Sequence, residues 1–310
     1  MARNIQVKRG GKMSLNKNSF PSTESIPFFY DKNYNNFNNR INSFYLNMFL
    51  DDFCSYINIS LSDNPYSSRV FFSFNGNIDE FNNLFGYDFL SHSFDELISN
   101  IAKNIILYGK AYVAKEIVYD NKQIIKQIKY RCINCKKIRI RRKYLVYKFV
   151  NSLNDKKEHG KISKKNCLVF DIKKVKLDEK EIIKKIKKLD KYHNTTNFFS
   201  NKFFDFNHYK KTEERKQLSL TKNIYWSCRN SDNYFLSEPY LLYRQIHFYI
   251  MQEKLLNYII SVFNEDLPFF KLNGTITYNS KVRNYENLLD ELNNGEKNCQ
   301  NVCDIIFKHI

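Results

Sequence analysis

The chain has 310 residues, of which 43% are hydrophobic and 16% aromatic; this excludes an intrinsically disordered protein and allows a sizeable core. Its formal net charge of +18, from 50 basic and 32 acidic residues, favours an anionic partner, nucleic acid before a membrane surface. Gly (8) and Pro (5) are scarce, whereas Lys, Asn, Ile, Phe and Tyr are abundant. This is the pattern of an AT-rich coding sequence, so part of the charge reflects composition rather than function.

The cysteines and the N-terminal sequence favour synthesis in a reducing, intracellular compartment. The seven cysteines are odd in number and irregularly spaced, and the chain begins without the apolar segment of a secretory signal. No run of about 18 uncharged apolar residues occurs, because Arg244, Glu253 and Lys254 interrupt the best candidate. We therefore expect free thiols and no membrane-spanning segment.

Helical and extended patterns follow one another in the first third of the chain. Residues 1–25 include a basic, glycine-containing stretch and are predicted to form a flexible arm. Apolar residues recur at helical spacing before Gly109, with Ser93 and Glu96 as a capping box at the start of that helix. Upstream we predict a helix, a strand and a helix, over residues 41–56, 70–74 and 79–85.

The region after Gly109 is predicted to be rich in strands. A hairpin is expected from residues 111–119 and 123–130, with its turn at Asp120 and Asn121. Beyond it we expect one or two strands, a polar loop and a short apolar strand, over residues 138–150, 155–165 and 166–172. A basic helix, an irregular segment and another strand should follow, over residues 178–193, 194–219 and 220–226.

The longest uninterrupted pattern predicts a helix that begins after Ser237 and runs to Phe263. Glu238 and Pro239 suit its first turn, and no Gly or Pro breaks it from Tyr240 onward. At about 1.5 Å per residue, the 24 residues from Tyr240 to Phe263 span roughly 36 Å. After this helix we expect a tight turn, a second turn and an amphipathic helix, at residues 273–274, 278–280 and 282–292.

Cys132 and Cys135 form a CxxC pair, which is half of a common zinc-binding pattern. No second CxxC follows, and Cys299 and Cys303, spaced as on one helix face, are the available complement. Because four ligands are needed, we predict no metal site and no cofactor.

The densest basic run contains six cations, Lys136, Lys137, Arg139, Arg141, Arg142 and Lys143. On a strand, Arg139 and Arg141 would share one face and Ile138 and Ile140 the other. A row of guanidinium groups suits contacts with DNA phosphates or another anion. The alternative is a solvated strand face that meets an acidic neighbour in an oligomer. The sequence does not separate these two interpretations.

Signals of catalysis are weak. The chain has no phosphate-binding loop, GxSxG, HExxH or glycine-rich dinucleotide turn, and its six histidines are scattered. Asp171 and Lys173 have the acidic-x-Lys spacing of metal-dependent nucleases, with Asp155 or Glu158 as a partner for magnesium. We expect this to be a chance match and predict that the protein is not an enzyme.

Several local motifs, taken in order, resemble those of the portal proteins of tailed bacteriophages. Residues 105–113, with the sequence IILYGKAYV, resemble the family's helix that leads into a strand. Residues 130–140 resemble the segment after the hairpin, with Cys132 to Cys135 in place of a Pro-rich part. The remaining matches are the strand before the long helix, the start of that helix and two later segments, at residues 223–226, 235–241, 263–274 and 288–298.

The resemblance covers residues 90–303, and three features depart from the family. Glu238 and Pro239 replace the usual Pro-Leu, and the Gly before Ser237 is absent. The insert of residues 171–219 is long. The chain also stops where portals continue with further helices, which suggests a shortened or truncated relative.

The resemblance implies a structural α+β subunit of a dodecameric ring at one capsid vertex, through which DNA is packaged and ejected. The expected partners are other copies of the chain, the major capsid or scaffold protein, the terminase, neck and tail proteins, and double-stranded DNA. No membrane is expected, and the protein would be located in the virion after synthesis in the bacterial cytoplasm.

This resemblance also suggests a division of the chain. The expected parts are a flexible arm, a wing-like α+β domain, a stem-like helix and a clip-like segment with a C-terminal helix, at residues 1–25, 26–235, 236–264 and 265–310. A polar stripe on the long helix would face water or DNA on the channel side, and its members are Glu253, Asn257 and Ser261.

Two other functions remain open on the residues alone. The first is a basic nucleic-acid-binding replication or packaging factor of a mobile element, acting as a monomer or dimer. The second is a metal-dependent nuclease that uses Asp171.

Overall fold

The computed structural model describes residues 43–54, 70–120, 124–133, 138–150, 157–195, 206–227, 237–280 and 284–307. Helices and antiparallel strands are mixed along the chain, which confirms the α+β fold class. Contacts divide these residues into two compact units. The sheet unit comprises residues 74–171 and 259–276, and the helical unit comprises residues 43–54, 70–73, 172–258 and 277–307. The domain limits given above stay predictions.

The described segments contain these secondary-structure elements. The helices are α1 (Phe44–Cys54), α2 (Ile78–Phe85), α3 (Phe94–Tyr108), α4 (Glu179–Thr195), α5 (Phe206–Thr221), α6 (Glu238–Asp266), α7 (Tyr285–Asn293) and α8 (Cys299–Phe307). The strands are β1 (Val70–Gly76), β2 (Lys110–Tyr119), β3 (Ile125–Cys132), β4 (Ile138–Ile140), β5 (Tyr144–Val150), β6 (Lys157–Ser163), β7 (Cys167–Asp171) and β8 (Gly274–Ser280).

Two three-stranded antiparallel sheets form the β-rich part of the sheet unit. One has the order β3-β2-β7, with Val113 opposite both Cys132 and Leu168. The other has the order β4-β5-β6. The predicted hairpin of residues 111–130 is confirmed, although residues 121–123 at its turn lie outside the described residues. The strands predicted in residues 138–150 and 166–172 are also confirmed.

Helix α3 supplies much of the core of the sheet unit. Phe94, Ile98, Ile101 and Ile105 are buried on one side, as the apolar spacing of this segment predicts. The helix ends at Gly109, whose left-handed backbone (φ 73°) lets its N–H reach the carbonyl of Ile105. This end, with the strand β2 directly after it, is as the sequence predicts.

A buried polar cluster lies where the C-terminal end of α6 meets the strands of the same unit. Lys115 Nζ donates to Asp266 Oδ1 at 2.7 Å, and Tyr130 Oη donates to Asp266 Oδ2 at 2.9 Å. The ammonium also lies 4.6 Å from the centre of the Phe269 ring. Burial, followed by the charge of Asp266, raises the pKa of Tyr130 well above its ordinary value, so Tyr130 stays a proton donor.

The helical unit is built around Trp226, the chain's single tryptophan, which is 2% exposed. Its ring makes edge contacts with Tyr45 and Phe49 of α1, and its Nε1 donates to Asp52 Oδ2 at 2.9 Å. Arg244 of α6 is equally buried and donates through Nη2 to the carbonyl of Trp226 at 2.7 Å. Trp226, which the sequence analysis placed in a strand, is therefore at the centre of the core of the helical unit.

The long helix is confirmed, with Ser237 as its start signal and an end three residues beyond Phe263. The carbonyl of Ser237 accepts from the backbone N–H groups of Tyr240 and Leu241, both at 3.1 Å. Helix α6 continues to Asp266 and passes into a 3-10 turn, Leu267–Phe270, that contains Pro268.

The capping box predicted at Ser93 is wrong. Ser93 has helical backbone angles (φ −71°, ψ −31°), and its side chain makes no capping hydrogen bond. A π-helical turn, Phe89–Ser93, precedes α3 and continues directly into it. The amides that a cap would satisfy are therefore already inside a helical segment.

Five further expectations are corrected. The loop of residues 155–165 contains strand β6, and the irregular segment 194–219 contains most of helix α5. The strand of residues 220–226 is the end of α5 followed by a 3-10 turn, Lys222–Ile224. The turns at residues 273–274 and 278–280 are the two ends of β8, which pairs with β1. The predicted arm of residues 1–25 lies outside the described residues.

Candidate functional site

The predicted basic run lies at the β4–β5 hairpin of the sheet unit. Arg139 is on β4, opposite Val146 of β5, which in turn is opposite Lys161 of β6. These three side chains share one face of the sheet, because directly opposed residues point to the same side. Arg139, Arg141, Arg142 and Lys143 are all exposed. Lys136 and Lys137 lie outside the described residues.

The opposite face of this sheet is apolar and buried. Because side chains of a strand alternate between its two faces, the cations lie on the solvent side. Leu145 (2% exposed) and Ile162 (5% exposed) pack in a cluster with Ile133 and Cys167. The sequence predicts that the arginines and the isoleucines of this strand lie on opposite faces. Ile138 agrees with this prediction, because it packs against that apolar cluster. Ile140 is 56% exposed, because β4 is an edge strand and ends at this residue.

Three further cations, which sequence reasoning missed, extend the same surface. Lys161 lies on β6, and Lys164 and Lys165 lie in the 3-10 turn after it. The backbone N–H of Lys164 donates to the carbonyl of Lys143 at 3.1 Å, which brings the two turns together. We call the whole set the basic face, and its members are Arg139, Arg141, Arg142, Lys143, Lys161, Lys164 and Lys165. The alternation of Gly160 and Ile162 with Lys161 and Ser163 was the signal that could have revealed this strand.

The cations of the basic face have no ion-pair partner in the described part of the chain. Lys161 makes a single specific contact, with its Nζ 3.5 Å from the centre of the Tyr144 ring. The other six make no side-chain hydrogen bond or ion pair with the described residues. Unpaired guanidinium and ammonium groups on adjoining strands and turns repel one another, so an anion that docks here would gain both attraction and relief of that repulsion.

The predicted polar stripe of α6 is partly exposed. Asn257 and Ser261 are exposed and Glu253 is half-buried. Tyr278 Oη lies 2.9 Å from Asn257 Oδ1 and 3.2 Å from Glu253 Oε1, so its single proton can be donated to either oxygen. The structure thus brings Glu253 and Asn257 together and leaves Ser261 one turn farther along the helix.

The apolar sides of α6 are covered by the same chain within each unit. Leu242, Ile246 and Ile250 pack against α7 and α8 in one apolar cluster. Phe248 faces the other way and contacts the rings of Phe49 and Phe53. Over these residues the chain's own helices therefore cover the apolar sides of α6.

The proposed nuclease residues do not form a metal site in the described residues. Lys110 Nζ lies 2.8 Å from Asp171 Oδ2, so this carboxylate already has a cation partner. Asp155 lies outside the described residues, and Glu158 is described in its backbone alone. No group of three or more His, Cys, Asp or Glu side chains with metal-binding geometry occurs in the described segments.

Cys132 is poorly suited to bind zinc. Burial raises the pKa of its thiol to about 12, although the Asn104 amide, which donates to the sulfur at 3.0 Å, acts in the opposite direction. A zinc ligand must be a thiolate, so a thiol held protonated at neutral pH disfavours the metal. Cys135 lies outside the described residues, and Cys299 and Cys303 are on α8, partly buried against the apolar cluster of α6 and α7.

No known protein family matches this chain, and no curated protein shows significant sequence similarity to it. Among the described residues, no helix has both the length and the apolar character needed to cross a membrane.

Proposed function

We propose that the chain is a portal-like subunit of a ring that conducts DNA at a capsid vertex. One observation carries the proposal: four of the elements on which the resemblance rests follow one another in the expected order. Helix α3 ends at a left-handed Gly109, a β hairpin follows directly, and the 29-residue α6 comes later in the chain. Helix α7 then ends before Gly295, which also has a positive φ (74°).

Two findings limit how the proposed ring could be built. Residues 223–226, likened above to a strand, include a 3-10 turn and the buried Trp226. The apolar sides of α6 are covered in the helical unit by the helices described above, and in the sheet unit Phe263 contacts the rings of Phe94, Tyr130 and Phe170. Contacts between subunits must therefore use surfaces other than the apolar sides of this helix.

The proposed role is passive, since the chain offers a surface rather than a reaction. The exposed Asn257 and Ser261 would contribute neutral groups to a wall along which DNA moves. Neutral groups suit this task, because several tight phosphate contacts would add affinity and slow the movement. The proposed partners are copies of the chain, the capsid or scaffold protein, the terminase, the neck and tail proteins and the DNA, with the virion as location.

The proposal is tested by the oligomeric state of the purified chain. We expect rings with a central hole in negative stain, and one dominant oligomer by mass photometry, in preparations from which nucleic acid has been removed. A homogeneous monomer up to about 0.1 mM would contradict the proposal, because a ring subunit at that concentration should associate by mass action.

A basic nucleic-acid-binding factor is the second candidate, and the unpaired cations of the basic face favour it. It predicts gel shifts by a monomer or dimer, with an affinity that falls steeply as salt rises. Sequence-selective binding without rings would support it over the portal-like subunit. Magnesium-dependent nicking abolished by Asp171→Ala would instead support a nuclease.

A further inference from the structure

We propose that the basic face binds an acidic surface of a second copy of the chain, head to tail. The inference rests on the proposed ring and names the contact that would hold it together. It also chooses between the two interpretations of the basic run, in favour of an acidic neighbour and against DNA.

The complementary surface lies on the same unit. Its members are exposed carboxylates of α2, of the turn after it and of the first turn of α3. We call them the acidic segment: Asp79, Glu80, Asp88 and Glu96. The chain has 50 basic residues in 310, about one in six, yet residues 70–102 contain no Lys or Arg. The absence of basic residues from this stretch opposes the compositional trend of the whole chain.

The carboxylates of the acidic segment make no side-chain hydrogen bond or ion pair with any described residue. The three charged side chains of β2, in contrast, are paired. Lys110 contacts Asp171 at 2.8 Å, Lys115 contacts Asp266 at 2.7 Å, and Glu116 lies 3.2 Å from Arg131. The unit therefore pairs the charges of β2 and leaves two sets of opposite sign unpaired. Each set supplies the charge that the other lacks.

Aromatic side chains accompany both sets. Tyr87, 75% exposed, lies inside the acidic segment, and Tyr144, 38% exposed, lies on the basic face. Tyrosine and arginine are enriched at protein interfaces because they combine apolar area with polar groups. A guanidinium of the basic face that docks near Tyr87 of another copy would add a cation–π contact to the ion pairs.

A contact between two different surfaces of identical chains propagates from copy to copy. Such a heterologous contact closes into a ring when its rotation divides a full turn, and otherwise gives a filament. DNA as the occupant would use the basic face and leave the acidic segment unexplained, since that segment repels phosphate. A second copy uses both surfaces in one contact.

The test uses charge reversal in the full chain. The first variant is R139E/R141E/R142E and the second is E80K/D88K/E96K. We expect each to weaken self-association at least about tenfold, because each places like charges across the contact. An equimolar mixture of the two variants should associate again, since each reversed surface then meets its complement. A single chain that carries all six changes should also assemble.

A matched control reverses three exposed lysines of α4, as K180E/K187E/K188E. This variant has the same net charge as the first, +12 from 18 − 6, but leaves the basic face intact. We expect its assembly to match that of the wild type. Far-UV circular dichroism shows whether each variant is folded, which matters for E80K and E96K because lysine in a first helical turn opposes the helix dipole.

The outcomes separate this inference from the proposed ring. If the wild-type chain stays monomeric from about 0.05 M to about 0.5 M salt, the proposed function fails. If rings form but neither variant weakens them, or the mixture does not restore association, this inference fails and the ring stands. If R139E/R141E/R142E loses binding to a DNA duplex while E80K/D88K/E96K assembles normally, DNA is the occupant and the inference is overturned.

Discussion

Lys115 lies in the interior of the sheet unit, with its ammonium removed from water. It is 4% exposed and paired with Asp266, which is 8% exposed. Desolvation of both charges offsets most of their attraction, so the pair contributes little net stability. Removing one partner is different, because the other charge is then buried alone. Replacing Lys115 should therefore cost far more stability than the net contribution of its ion pair with Asp266.

We predict that Lys115→Met lowers the free energy of unfolding by roughly 3–5 kcal/mol. Urea unfolding followed by circular dichroism measures the change. Lys110→Met is the matched control on the same strand, because the Lys110 side chain is 44% exposed and its ion pair with Asp171 is screened by water. The control should cost at most about 1 kcal/mol. Equal effects of the two variants would contradict this account.

His247 is a second residue whose environment predicts a measurable effect. Its ring stacks on Tyr225 at 4.5 Å and meets the edge of Tyr243 at 4.3 Å. Burial, and then the positive charge of Lys254, lowers the pKa of His247 below its ordinary value. The folded state therefore binds a proton more weakly than the unfolded chain does. The stability that results is present above the ordinary pKa and is lost as the pH falls through the lowered one.

We expect wild-type stability to fall more than that of His247→Gln when the pH is lowered from about 7.5 to about 5.5. The fluorescence of Trp226 reports unfolding of the helical unit and allows the two proteins to be compared under the same conditions. The difference between them removes the contributions of other titrating groups. Identical pH profiles would show that His247 is not protected from protonation.

At the scale of elements, α6 also caps another helix of its unit. Gln252 is 1% exposed, and its Nε2 donates to the carbonyls of Asp52 at 2.8 Å and Phe53 at 2.9 Å, in the last turn of α1. Carbonyls in the last turn of a helix have no partner within it, and one side-chain amide satisfies two of them here.

Gln252→Leu should therefore lower the free energy of unfolding by about 1–3 kcal/mol, because two buried acceptors lose their donor. Gln252→Glu should cost more, since a carboxylate would face those carbonyls and the negative end of the α1 dipole. Urea unfolding followed by Trp226 fluorescence measures both changes. Gln245→Leu, a half-buried position on the same helix, is the control and should change stability by at most about 0.5 kcal/mol. A ranking with Gln252→Glu as the mildest variant would contradict the capping role.

Elements with an apolar face were predictable from the sequence, and elements with a polar inner face were not. Helices α3 and α6 carry Ile, Leu and Phe at helical spacing. Helix α5 instead buries Glu214, Gln217 and Thr221, so its inward side showed no apolar period. Gln217 donates to Tyr45 Oη at 2.6 Å, a partner more than 170 residues away that local pattern could not reveal.

Strand β6 and the candidate site illustrate the same limit. Gly160 is buried beneath the ring of Tyr147 on β5, so a glycine that reads as a loop signal is part of a sheet. Four arginines and lysines of the basic face were predictable from one dense run, Arg139 to Lys143. The three lysines after Gly160 were not, because they join that run only through the pairing of β5 with β6.

At the scale of the whole molecule, the distribution of charge matters more than its total. The net charge of +18 alone would suggest a chain that repels its copies and binds any polyanion. The acidic segment gives part of the sheet unit the opposite sign. We therefore predict that self-association weakens by at least about tenfold between about 0.05 M and about 0.5 M salt. Sedimentation velocity measures this; association that strengthens with salt would indicate an apolar contact instead.

The raised pKa values of two thiols in the sheet unit have a consequence for reagent chemistry. Cys132 and Cys167 flank β2 on either side, and burial raises the pKa of each thiol to about 12. Because a maleimide reacts with thiolate, it should modify both sulfurs only very slowly in the folded protein at neutral pH. The rate of this slow modification would then report how often the sheet opens around β2. Mass spectrometry of the labelled peptides would thus measure, without denaturant, how often these strands separate.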